Sequence, residues 1–213
     1  GAAAAAAARA RRPMRRGSDA ASATSARSST EDYGQGWTQL TDHGKIFLSK
    51  KEKNVFILEG TAAAGFSACA YRGTEDQQAA VEGGAFGLSA ELKSMPSDAC
   101  PEQCVYVLFD CCGMTDLSSG CDFCGVKLCF DSRELRVESH RRNATVQTLY
   151  AQPGCALLRP QAYVTLAVSV SEETFSVTLS GVPIVSGLAA GRARDAGVPQ
   201  VGIAVYGKTR CYL

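Results

Sequence analysis

YVTLAVSVSEETFSVTLSGVPIV, Tyr163 to Val185, carries the plainest structural signal in the chain. Val164, Leu166, Val168 and Val170 alternate with Tyr163, Thr165, Ala167 and Ser169. After the polar SEET turn, Phe175, Val177 and Leu179 alternate with Ser176 and Thr178. Apolar residues at every second position mark strands with one buried face. Ser180 and Gly181 supply a tight turn into Val182 to Val185, where Pro183 lacks a backbone donor and so favours a sheet edge. The stretch predicts a three-strand antiparallel meander whose apolar face needs a second layer to cover it.

The same period runs outward from there. Trp37 and Leu40 begin the globular part, followed by strand signals at Asn54 to Glu59 and Phe66 to Tyr71. Thr74 to Val81 is the one helix candidate, with Thr74 as N-cap and Gln77 closing a capping box. Phe86, Leu88, Ala90 and Leu92 alternate with Gly87, Ser89 and Glu91, while the continuously apolar Val105 to Phe109 reads as a strand covered on both faces. Val126, Leu128 and Phe130 oppose Lys127 and Cys129; Leu135 and Val137 oppose Arg136 and Glu138; Val146, Thr148 and Tyr150 oppose Thr145 and Gln147. Val201, Ile203 and Val205 close the series. The count is about eleven strands, which an open sheet accommodates only by curling or splitting, so an all-β sandwich of two packed antiparallel sheets is expected.

Composition bounds the function. The chain has 213 residues and a formal charge of +1, and six of its Arg fall in residues 1 to 30 beside a single Asp. The remainder holds 16 Lys and Arg against 20 Asp and Glu, so the body is mildly acidic and lacks the basic face of a nucleic-acid binder. No run of about 18 apolar residues exists to cross a membrane as a helix. Residues 1 to 30 are Ala, Arg and Ser-rich with no aromatic, Leu, Ile or Val, and are expected to be a disordered arm, either a tether within a longer chain or an organelle transit segment. Residues 31 to 213 are expected to be the β-sandwich domain.

The order FGLSAEL, VYVLF, VKLCF then ELRVES, YVTLAVSV, FSVTLSGVPIV and the closing VGIAVYG resembles the concanavalin A-like lectin and glucanase superfamily, nearest to laminin G-like jelly rolls. SPRY-type sandwiches are a second resemblance. The first implies a curved two-sheet sandwich that binds glycans or proteins, sometimes with calcium, and hydrolyses glycosides in some branches.

Carboxylate spacing bears on hydrolysis. Retaining enzymes need two carboxylates about 5 to 5.5 Å apart and inverting ones about 6.5 to 9.5 Å. The chain has no E-x-D-x-E: Glu134 and Glu138 are four apart, Glu172 and Glu173 sit in a turn, and Glu91 stands alone, leaving a cross-strand pair such as Glu91 with Glu138. The two histidines, His43 and His140, lie in no nucleophile context and are expected to face solvent. The expected function is a non-catalytic binding module for a glycan or protein ligand, within a longer chain or assembly. A glycoside hydrolase-like enzyme and a structural subunit are the alternatives. No catalytic residue is assigned, and Trp37, Glu91, Glu138 and Tyr206 are the ligand-binding candidates.

Seven of the ten cysteines fall between Cys100 and Cys129. Cys100, Cys104, Cys121 and Cys124 approximate a four-thiolate zinc site, yet a strongly β run lies between the pairs. Disulfides explain an even total, and the sequon at Asn143 fits a secretory route. Buried thiols in a reducing compartment are the third reading. No metal or other cofactor is expected, with zinc or calcium as alternatives, and at least one local bridge is expected within the cluster.

Overall fold

The computed structural model describes residues 38–41, 43–61, 65–73, 86–96, 103–112, 122–142, 144–171, 174–189 and 200–213. The arm, Trp37, the Thr74 to Val81 helix candidate, Cys100, Cys121 and Asn143 lie outside them. The described residues form two seven-stranded sheets in which every neighbouring pair is antiparallel. The first sheet runs β1 (Thr38–Thr41), β4 (Phe66–Gly73), β13 (Gln200–Tyr206), β6 (Cys104–Cys112), β7 (Asp122–Cys129), β8 (Glu134–His140) and β9 (Gln147–Gln152). The second runs β12 (Val182–Ala189), β11 (Thr174–Leu179), β10 (Val164–Val170), β5 (Phe86–Pro96), β14 (Thr209–Tyr212), β3 (Phe56–Gly60) and β2 (Gly44–Leu48).

The meander forms as its alternation requires. Val164, Leu166, Val168 and Val170 are buried together with Phe175, Val177 and Leu179, and the Phe109 and Phe175 rings meet 5.0 Å apart across the two sheets. Burying each such side chain contributes about 1.5–3 kcal/mol. Ser180 and Gly181 both have positive φ, 49° and 78°, as a two-residue hairpin turn of the primed type demands. Pro183 lies on β12, an edge strand, beside a register shift that absorbs its missing donor.

β6 is the middle strand of the first sheet and is buried on both sides. Val105, Val107 and Phe109 face the second sheet in the main core, whereas Tyr106 and Leu108 belong to a smaller cluster on the outer face. The expected alternation also holds in β7 and β8, but β9 departs from it. A register shift opposite Val137 and Glu138 sets Tyr150 against Val137 and Thr148 against Glu138, so Thr148 and Tyr150 do not share a face. Val146, expected inside, is exposed and precedes the strand. The sequence count also missed three short strands, β1, β2 and β14.

Candidate functional site

The outer face of the first sheet is where this sandwich concentrates chemistry. Strand alternation turns Tyr106 and Leu108 of β6, Phe123, Lys127 and Cys129 of β7, and Arg136, Glu138 and His140 of β8 away from the core. Phe66 and Tyr206 complete the patch. Phe66 is the hub of its rings, with centroids 5.0 Å from Tyr106, 5.8 Å from Phe123 and 5.4 Å from Tyr206, all edge-on. Gly125 lies beneath them, and a Cβ there would come within 3.3 Å of both Leu108 and Tyr106, so the missing side chain makes room for the rings.

Glu138 is the polar centre. It is only 3% exposed, and its Oε2 accepts a hydrogen bond from the Tyr106 hydroxyl at 3.0 Å and lies 3.1 Å from His140 Nε2. The His140 ring stacks on Phe123 with centroids 4.2 Å apart and planes inclined by 15°, which fixes its orientation toward the carboxylate. Burial pushes the Glu138 carboxyl upward. The His140 hydrogen bond, the nearby Lys127 charge and the Tyr106 hydroxyl outweigh that push and hold it below the usual carboxylate range. Lys127 Nζ stands 5.7 Å from the Tyr106 ring centre and 5.6 Å from that of Tyr206. Both donors converge on one oxygen, so Oε1 keeps acceptor capacity among the described residues.

Two of the four sequence candidates, Glu138 and Tyr206, come together on this face. Glu91 does not: it is exposed on β5, opposite Thr165 of β10, on the outer side of the second sheet. The Glu91–Glu138 pairing is therefore corrected, because both sheets and the core stand between the two carboxylates. Glu134 shares the face of β8 with Glu138, but Arg136 lies between them and its Nε donates to Glu134 Oε1 at 2.7 Å. His43 is exposed before β2. His140, expected to face solvent, is instead half-buried against Phe123. The signal for it was its two-residue spacing from Glu138 on a strand, which puts both side chains on one face. Tyr106, Phe66 and Phe123 gave no sign in the sequence, since their apolar runs read equally as core.

The outer face of the second sheet also joins a cation to aromatic rings, but it satisfies itself. Lys93 Nζ stands 4.4 Å and 4.5 Å from the ring centres of Tyr163 and Tyr212. Glu52 closes the cluster, 3.0 Å from Lys93 and 2.6 Å from the Tyr163 hydroxyl.

Cys104 and Cys129 form a disulfide across the β6–β7 ladder, with Cα atoms 4.5 Å apart at directly opposed positions. The zinc set does not assemble. Cys104 lies on the outer face and is bridged, while Cys124, five residues before Cys129 on β7, points through the sheet into the main core. Cys155 and Cys211 are also buried in that core, and burial pushes the Cys211 thiol well above its ordinary range. Among the described residues, no group of three or more His, Cys, Asp and Glu converges as a metal site requires. No described helix is long and apolar enough to cross a membrane.

No protein-family model matches the sequence, and no curated protein matches it. Solved structures do match. The carbohydrate-binding module CBM66 from Bacillus subtilis aligns with a TM-score of 0.54 at 11% identity, over 83% of this chain and 91% of its own. The potassium-bound carbohydrate recognition domain of Emp46p aligns at 0.56 and 9% identity, over 83% and 85%. The Bacillus licheniformis β-glucanase aligns at 0.51 and 9% identity, over 87% and 92%. Identities this low speak for the fold alone. Two antiparallel seven-stranded sheets packed on one core, in an arrangement shared with these structures, give the chain the concanavalin A-like jelly-roll fold.

Proposed function

We propose that the chain is a non-catalytic binding module for a glycan, received on the outer face of the first sheet around Glu138 and Tyr206. The observation that carries this reading is the Tyr106–Glu138–His140 cluster: a charged carboxylate with a spare acceptor oxygen, pinned by two neighbours and bordered by aromatic rings. Sugars present hydroxyl donors along their edges and C–H groups on their faces. A fixed acceptor beside half-buried rings meets both, which is how few, well-placed polar groups in an apolar setting confer orientation. That two of the similar structures are a carbohydrate-binding module and a carbohydrate recognition domain supports the choice of ligand class.

Binding is favoured over hydrolysis because the second carboxylate on the same strand, Glu134, is engaged by Arg136. The test is a glycan array with the full chain, followed by calorimetry on the best hit. Glu138→Gln and Tyr206→Ala should each weaken binding about tenfold or more, the effect of losing one good contact of about 1.4 kcal/mol. Glu91→Gln, on the opposite side of the molecule, should bind as the parent does. Absence of any glycan binding, or unchanged affinity in both variants with their circular dichroism intact, defeats the proposal.

A further inference from the structure

A cavity lies between the sheets, behind the first sheet from the Glu138 face and sharing strands β4 and β13 with it. It measures about 260 Å³ and is walled by Ile46 and Leu58 from the outer strands of the second sheet, Ala90 from β5, and Ala70 and Ile203 from the first. β14 pairs with β5 only along Lys93 to Pro96, so Ser89 to Glu91 have β10 on one side and no strand on the other among the described residues. Phe56, Leu213, Ser89 and Glu91 also line the cavity.

One wall residue breaks the apolar pattern. Gln39 of β1 sits directly across the ladder from Ala70, whose side chain packs on the main core, so Gln39 also points between the sheets, and it is only 6% exposed. An amide at a core-facing strand position carries a desolvation cost unless hydrogen-bonded, and this one borders a space large enough for a guest. An apolar cavity of about 150 Å³ already takes up benzene. We infer that this cavity is a ligand site for a small amphiphile, with an apolar body of about eight to ten non-hydrogen atoms and one hydroxyl or carbonyl group that pairs with Gln39. The alanines at positions 70 and 90 keep the space open where larger residues would fill it.

The probes are 2-phenylethanol and ethylbenzene, alike in body and differing in the hydroxyl, titrated into the full chain labelled at Ile and Leu methyl groups. Saturable shifts confined to Ile46, Leu58, Ile203 and Leu213 are expected, with the alcohol bound more tightly. Ala90→Leu, which fills the space, should weaken both probes at least tenfold without lowering the melting temperature. Ala70→Leu serves the same purpose should the first variant misfold. Gln39→Leu should weaken the alcohol at least fivefold and leave ethylbenzene unchanged or tighter. Shifts that fail to saturate at millimolar probe, or undiminished binding in a folded, filled variant, overturn the site. Equal weakening of both probes by Gln39→Leu overturns the pairing with the amide.

Discussion

Glu138 keeps its charge in a place from which water is nearly excluded, so its neighbours sustain it and pH should reveal them. Its folded-state pKa is below the ordinary carboxylate value, so the stability it contributes is fully present above that value. It is lost as the pH falls from there through the depressed folded-state pKa. Urea midpoints measured from about pH 7 down to about pH 3 should therefore fall more steeply for the parent than for Glu138→Gln, which cannot protonate. Parallel profiles would mean that the carboxylate titrates alike in folded and unfolded chains. The same residue shows how far a sequence can speak about a site. Glu138 and Tyr206 were recoverable as candidates, yet Tyr106 was not, because a Tyr within VYVLF is indistinguishable from core until the sheet's register lets its hydroxyl reach across β7 to Glu138.

β10 is the element whose facing was readable, since one strand side meets the core and the other meets solvent for its whole length. Leu166→Ala should cost about 2–5 kcal/mol, as a fully buried leucine truncated in a close-packed core does. Thr165→Lys on the exposed side should stay within about 0.5 kcal/mol. Equal losses in chemical denaturation would reverse the assigned facing. In the turn between β11 and β12, nothing lies within 4 Å of a Cβ built on Gly181, so Gly181→Ala meets no clash and its cost comes from the positive φ alone. About 1–2 kcal/mol is expected from the same measurement. Shorter strands were not legible for a plain reason. GKIFL and TRCY are five and four residues long, and their positions are set by the strands beside them, β3 for the first and β5 and β3 for the second. β9 misled in another way, because its register shift moves residues between faces with no mark in the sequence.

For the molecule as a whole, the Cys104–Cys129 bridge constrains the unfolded chain over a sequence separation of 25 residues. Loop-closure entropy assigns such a link about 3.5 kcal/mol. Reduction should lower the melting temperature by roughly 7 to 14 °C. Thiol counting on denatured, unreduced protein should find fewer than the ten present in the sequence, and ten would exclude the bridge. The strand order also dictates when the two sheets can close during synthesis. β13 occupies the slot between β4 and β6 in one sheet, and β14 the slot between β5 and β3 in the other, so both layers stay split until residues 200–212 arrive. A nascent chain stalled before Gln200 exposes unpaired edges on both sides of an open seam, the kind of edge that recruits foreign strands. Such a chain should show no cooperative melting and should engage chaperones until translation supplies β13 and β14.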